Sequence, residues 1–305
     1  MKYYVMTLFP EMIEQAMNTS IMGRAMADGL ISLQVMNIRD YTLNKHGKVD
    51  DYPYGGGAGM VMEAEPIYRC YEQICSEAGK RPRVIYLTPQ GDVFSQKIAK
   101  DFSKEDVLVF LCGHYEGVDE RFIEACVDEE LSIGDFVLTG GELGAMVVTD
   151  CVCRMVPGVL SDTECYTGES HWAGRLEYPQ YTRPETWEGR TVPEVLRGGN
   201  HAEIEAWRTR QSLERTLVKR PDLFRETPPT PAEQRLLDKI RRDRSRPQLT
   251  EPPVCRPAAV DDLPAILAIA QQARNYLRRH RVDQWQGEYP NADTFSADIA
   301  AGACH

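Results

Sequence analysis

Apolar positions recur along the first half of the chain in two alternating textures. Short runs rich in β-branched and aromatic residues, at 2–8, 32–38, 83–88, 107–112 and 136–138, read as strands. Between them, the segments at 10–28, 64–78, 94–102, 118–127 and 143–155 carry helix-compatible spacing. Strand–helix alternation of this kind predicts an α/β domain over 1–157, a parallel sheet with helices on both faces. After Pro157 the pattern fades. Residues 158–175 are polar, glycine-bearing and without clear period, and are expected to form a flexible linker that is disordered without ligand.

Helical spacing then returns. Asn200, with Glu203 three residues on, opens a helix that runs to about Lys219 ahead of Pro221. Thr230, Pro231 and Glu233 open another. Together they place a helical domain over 176–246, closed by a proline-rich spacer at 247–257. Further on, Leu263, Ile266, Ile269, Ala273 and Leu277 share one face of a helix from Asp262 to about Arg279.

Composition narrows the classes. A chain of 305 residues can bury more than one core. Its nine cysteines show no CxxC pair and no metal-ligand spacing to the six histidines. That argues against a zinc site or a disulfide framework, and for a reducing cytoplasmic setting. No apolar run reaches the roughly 18 residues a membrane span needs, and the N-terminus reads as a strand rather than a signal peptide.

The formal net charge of −11 disfavours non-specific nucleic-acid binding. The cations, however, are segregated. Arg208, Arg210, Arg215, Lys219 and Arg220 face one acid, Glu214, and a second basic stretch runs from Arg235 to Arg246. Such a bipolar chain can hold RNA on its basic side, because selective RNA recognition needs a shaped site more than a high pI. The same arginines also suit the solvated faces of two helices.

The densest chemical signal is CGHYEGVDER, Cys112 to Arg121, followed by SIGDFVLTGGEL, Ser132 to Leu143. Each segment carries glycines behind an apolar run, so main-chain N–H and C=O groups can approach a flat ligand such as an adenine ring. The spacing matches neither the dinucleotide GxGxxG nor a P-loop.

These segments resemble those of the bacterial tRNA (guanine-N1)-methyltransferases of the SPOUT superfamily. The similarity continues through YYVMTLFPEM, DDYPYGGGAGMVM, DCVCRMVPGVL, LEYPQYTRPE and GGNHAEIEAWRTRQSLERT, covering residues 1 to about 225. It implies a SPOUT core whose parallel sheet is knotted as a trefoil within roughly 85–150, a topology that ordinary rules disfavour and periodicity does not show. It also implies S-adenosylmethionine as methyl donor, with Mg2+ as a further family-implied requirement. The substrate would be tRNA, at the guanosine immediately 3′ of the anticodon (position 37). The enzyme would be a cytoplasmic homodimer whose site is shared between subunits.

Methylating guanine N1 requires removal of its proton and stabilisation of the charge that spreads to O6. By resemblance, Arg154 is the cation facing O6 and Glu169 is the base. The family more often has aspartate at the position of Glu169, and Glu164 lies on the same stretch. The cofactor cradle would take Leu87, Pro89 and Gly91 on one wall, and Gly113, Tyr115 and Gly117 on a second. Ile133, Gly134, Leu138, Gly140 and Gly141 would form the third.

Phe136 stands where the family often has tyrosine, and His114 where arginine is common. His114 is assigned packing or hydrogen bonding rather than catalysis. Glu116 would orient the methionine end of the cofactor or the target base, or else act as a helix N-terminal acid. Gly59 and Met60, in the turn Tyr54–Met62, read as a substrate-side loop or a tight turn. Asn200, His201 and Arg208 are placed on RNA, and Trp207 on RNA or in a core.

Residues 255–300 resemble the beginning of a GNAT-type acetyltransferase and lack the later cofactor loop. The segment 258–305 is therefore expected to be an incomplete and poorly ordered module. Two further readings follow from these departures: a catalytically silent RNA-binding module of the same fold, and an acetyltransferase fusion.

Overall fold

Strand β1 (Lys2–Thr7) alternates strictly between two cores. Tyr3 and Val5 face one side of the sheet and Tyr4 and Met6 the other, all essentially without exposure. The same alternation holds in β5 (Arg83–Val93) and β6 (Val107–Cys112), whose neighbouring side chains divide between the same two clusters. With β2 (Ser32–Asn37) and β7 (Glu129–Ser132), these strands form a five-stranded parallel sheet in the order β2-β1-β6-β5-β7. A sheet buried on both faces reads in sequence as a near-continuous apolar run, which is why these strands are legible.

Helices α1 (Pro10–Met17), α2 (Ser20–Ala27), α4 (Gln96–Phe102) and α6 (Glu142–Cys153) supply the first cluster. Helices α3 (Ala64–Ala78) and α5 (Glu120–Cys126) supply the second. A short hairpin, β3 (Asp50–Asp51) with β4 (Val61–Met62), closes the glycine turn between Tyr54 and Gly59.

Two expectations are corrected. The helix expected over 10–28 breaks between α1 and α2, where Ser20 takes φ +53°, outside the right-handed helical region. The last strand of the parallel sheet is β7 at 129–132, not 136–138, and the apolar FVL run lies in the loop that follows it.

The stretch expected to be an unstructured linker carries α7 (Glu164–Thr167) and a run of turns. Lys100 donates to the Trp172 carbonyl at 2.6 Å and lies 3.7 Å over that indole ring. A hairpin of β8 (Thr186–Trp187) and β9 (Arg190–Thr191) then leads to α8 (His201–Lys219), α9 (Leu223–Glu226) and α10 (Pro231–Ser245). Leu213, Leu237 and Ile240 form their small core.

Arg175 clamps this region. It donates to Glu233 at 3.1 Å and to the Gly174 and Thr227 carbonyls at 2.8 Å, with its guanidinium 4.7 Å over Phe224. Both helix starts follow their capping signals. Asn200 accepts from the Glu203 N–H, and Thr230 and Glu233 exchange reciprocal bonds.

The coordinates form a computed structural model describing residues 1–245, 256–279 and 290–303. The chain divides into Met1–Ile240 and Arg241–His305. In the second unit, α11 (Leu263–Arg279) occupies the segment predicted as an amphipathic helix, and α12 (Ala292–Ala300) follows. The proline-rich spacer lies outside the described residues except for Arg256 and Pro257.

Strand β5 is not continuous with its neighbour. Leu87 pairs with Leu131, and so does Asp92, so Thr88 to Gly91 loop out of the ladder between them. Gly91 closes this excursion against β7: a Cβ there would fall 2.3 Å from the carbonyl carbon of Glu130 and the nitrogen of Leu131. Backbone cannot yield as a flexible side chain does. Gly91→Ala is expected to cost about 1–3 kcal/mol, as overpacking typically does. Chemical denaturation would measure it, and an unchanged midpoint would show that the two strands can separate freely.

Candidate active site

Three adjacent strands of the sheet, β6, β5 and β7, end on the same side, and each continues into an irregular turn. Open parallel sheets bind ligands outside the carboxyl ends of their strands. Here the turns enclose a cleft of about 400 Å³. The excursion from β5 contributes Leu87, Thr88, Pro89 and Gln90. The turn after β6 contributes Gly113 to Val118, and the loop after β7 contributes Ile133, Phe136 to Gly141 and, from α6, Gly144.

Most residues expected in the cradle therefore meet at one place. Gly91 and Gly134 do not line it. Gly91 lies against the backbone of β7. Gly134, at φ +148°, shapes the loop from within, accepting from the Ser132 hydroxyl at 2.9 Å and from the Phe136 N–H at 2.9 Å.

Sequence reasoning missed Tyr86, Gln90, Ser132, Val137 and Thr139 on the cleft wall. Each stands within a few residues of a marked glycine or proline, which was the available signal. Tyr86 is buried beneath Gly113, and its burial pushes the phenol above its ordinary range. The rim is apolar and open, with Phe136 53% and Val137 80% exposed.

The turn at Gly59 and Met60 is fastened to the second wall. Glu116 N–H donates to the Met60 carbonyl at 2.9 Å, and Met62 N–H to the Gly117 carbonyl at 2.9 Å. The Glu116 carboxyl fills the space that a Cβ on Gly59 would take. From the opposite side Arg39 reaches the Tyr115 hydroxyl at 3.4 Å. Tyr115 itself has φ +60°, a left-handed conformation held by its surroundings.

Arg154 and Glu169 lie together but not in this cleft. Arg154 Nη2 donates to Glu169 Oε1 at 2.8 Å, and that bond drives the guanidinium further above its usual range. The pair is over a third exposed on both sides, so it is a contact of modest strength, on the order of 0–1 kcal/mol. Glu164 opens α7 and is exposed.

Asn200 and His201 are exposed at the start of α8. Arg208 is partly engaged within the fold, bonded to Glu205 at 2.6 Å and stacked 4.8 Å over Tyr178. Trp207 packs against Tyr181 with ring centres 6.3 Å apart. Among the described residues no group of three or more His, Cys, Asp or Glu side chains could hold a metal ion. The Mg2+ implied by resemblance thus has no such ligand set there. No helix among them is long and apolar enough to cross a membrane.

Comparison with known proteins shows the family. The family model described as tRNA (Guanine-1)-methyltransferase TrmD matches residues 1–226. A tRNA (guanine-N(1)-)-methyltransferase of Lachnospira eligens is 61% identical over 226 residues, spanning 74% of this chain and 96% of that protein. One of Ruminiclostridium cellulolyticum is 56% identical over 228 residues, spanning 75% of this chain and 98% of its own. One of Staphylococcus carnosus is 49% identical over 242 residues, spanning 79% and 98%. The parallel sheet covered by helices on both faces is consistent with the SPOUT class to which these enzymes belong. The family match over residues 1–226, within which the whole cleft lies, makes the chain a member of the tRNA (guanine-1)-methyltransferase family.

Proposed function

We propose that this protein transfers a methyl group from S-adenosylmethionine to N1 of the tRNA guanosine immediately 3′ of the anticodon, position 37, and so supports reading-frame maintenance. One observation carries the reading. The cleft lies at the carboxyl ends of three adjacent parallel strands, within the part of the chain that matches the methyltransferase family. The relatives' names supply tRNA and the guanine N1 atom. They also favour methyl transfer over a silent RNA-binding module or an acetyltransferase, because the segment resembling an acetyltransferase begins beyond the family match.

The cleft suits the cofactor chemically. Leu87, Pro89, Ile133 and Leu138 offer apolar walls for an adenine ring, while Gly113, Gly117, Gly140 and Gly141 bring the backbone close. When bound, S-adenosylmethionine supplies an electrophilic methyl group. The chain's own residues do the rest. Glu169 takes the proton from guanine N1, and Arg154 faces O6, where negative charge develops as that proton leaves. Each is the other's partner, and their exposed bond can open for the base at modest cost.

The separation of Arg154 and Glu169 from the cleft supports a homodimer in which one subunit's cofactor meets the other's catalytic pair. Helix α6 adds to this. It is apolar nearly all round, and a helix of that kind is ordinarily covered on every side. Yet Leu143 is 44% and Val147 48% exposed, and Leu143 borders half-exposed Phe9 and Met12. On this reading Gly59 and Met60, which sit against Glu116, wall in the extruded guanine. Asn200, His201 and Arg208 are assigned to the anticodon stem-loop.

Labelled methyl transfer to paired transcripts, one with guanosine and one with adenosine after the anticodon, is expected to label the guanosine transcript alone. Labelling of both, or of neither, would refute the proposal. Glu169→Gln is expected to lower kcat by roughly 10²-fold or more, the scale of a lost general base, while cofactor binding persists. Leu143→Glu combined with Val147→Glu is expected to yield an inactive monomer by sedimentation. A monomeric wild-type chain with full activity would end the shared-site reading.

A further inference from the structure

At one edge of the cleft, two side chains from distant parts of the sequence meet on one carboxylate oxygen of Glu142. Thr7, at the end of β1, donates its hydroxyl to Glu142 Oε1 at 2.5 Å. His114 Nε2 lies 2.7 Å from the same atom. Glu142, in the first turn of α6, is only 2% exposed. Burial alone would push its carboxyl up, but the bonds from His114 and Thr7 and its own backbone amide outweigh that and hold it below the ordinary range. An ionised carboxylate only accepts hydrogen bonds, so His114 Nε2 carries the hydrogen here.

Two neighbours confine the imidazole. Phe9 packs against it at a ring separation of 4.9 Å. At its Cε1 edge Gly140 leaves the room the ring needs, since a Cβ there would fall 2.3 Å from His114 Cε1. The main chain of His114 is held as well: its N–H donates to Met62 Sδ at 3.2 Å, and its carbonyl accepts from Gly117 at 3.1 Å. A further bond, Gly141 N–H to the Gly113 carbonyl at 3.1 Å, runs alongside. His114 thus stands where the turn carrying Tyr115 and the loop carrying Gly140 meet, and its side chain joins that turn to α6.

We infer that His114 is a positioning residue for the cofactor: through its hydrogen bond to buried Glu142 it sets the separation of the 113–117 and 139–141 walls. This rests on the reading of the cleft as the S-adenosylmethionine site. The acceptor Glu142 is buried and does not line the cleft, so loss of the bond falls on cofactor binding and leaves the chemistry of a saturated enzyme nearly unchanged.

The test uses the full chain, titrated with S-adenosylmethionine by calorimetry and assayed at saturating tRNA, as wild type and as His114→Ala, His114→Asn and His114→Gln. Glutamine carries an N–H at a reach similar to that of imidazole Nε2, while asparagine is equally polar and too short. Ala and Asn are expected to weaken the dissociation constant and KM for the cofactor by roughly tenfold or more, the scale of one lost hydrogen bond to a charged group. Their kcat at saturation should stay within about twofold of wild type, as for a loss of uniform binding. Gln is expected to restore affinity to within about threefold, since it remakes the charged bond.

Should the alanine variant not fold, the Asn and Gln pair carries the comparison. Indistinguishable affinities for Asn and Gln, or a loss confined to kcat, would overturn the inference and leave the cofactor reading standing. Failure of the wild-type chain to take up S-adenosylmethionine would overturn both.

Discussion

The site depends on how closely backbone can approach backbone where β5, β6 and β7 end. Parallel strands normally separate into helices through loops that keep their distance. Here the segment leaving β5 returns to pair with Leu131 a second time, with Gly91 against the main chain of β7, and Gly141 donates across to Gly113. The three turns are therefore fixed by peptide groups, not only by the packing of side chains. A cleft built in this way is shaped before any ligand arrives, and preorganised polar groups do not have to be reoriented during binding. Its position follows from the sheet, because β6-β5-β7 are adjacent and point the same way.

Much of this was legible in the sequence, for a physical reason. A sheet buried on both faces demands apolar residues at successive positions, and β1, β5 and β6 show them plainly. The misplacement of β7 has the complementary cause. It is an edge strand whose sequence, EELS, starts with two acids, and Arg83 offsets one of them by donating to Glu129 at 2.7 Å. The apolar run Phe136–Val137–Leu138 was mistaken for it because hydrophobicity reports a need to be covered and does not name the cover. The break between α1 and α2 had only Asn18, Thr19 and Ser20 as a signal, a polar triplet that a longer helix could also have carried on its outer face.

The candidate site was legible in residue type more than in arrangement. Glycine spacing located the turns, yet it gave no means of separating those that border the cleft from Gly91, which is needed behind it. The bond between Arg154 and Glu169 links residues fifteen positions apart across a stretch without periodicity, so only resemblance brought them together. Residue type and position alone assign His114 no catalytic role. Its partner Glu142 is 28 residues away and reads in sequence as an ordinary acid in the first turn of a helix, where the macrodipole alone would account for it.

Exposed apolar surface is the remaining constraint, and it has two sources that need separating. Val137 and Phe136 rim the cleft, where a ligand's flat face can cover them, whereas Leu143 and Val147 are exposed on α6 outside the cleft lining. At roughly 25 cal/mol per Å² of apolar surface, covering a few large side chains is worth several kcal/mol. Closing a ligand over the rim and a second subunit over the helix would thus draw on the same driving force at neighbouring places. Thr139 and Gly140 border both the cleft and the depression formed by Phe9, Met12 and Leu143. A shift of the 139–141 segment on ligand binding would therefore be felt at the surface assigned to the partner, and association would act back on the cleft by the same linkage.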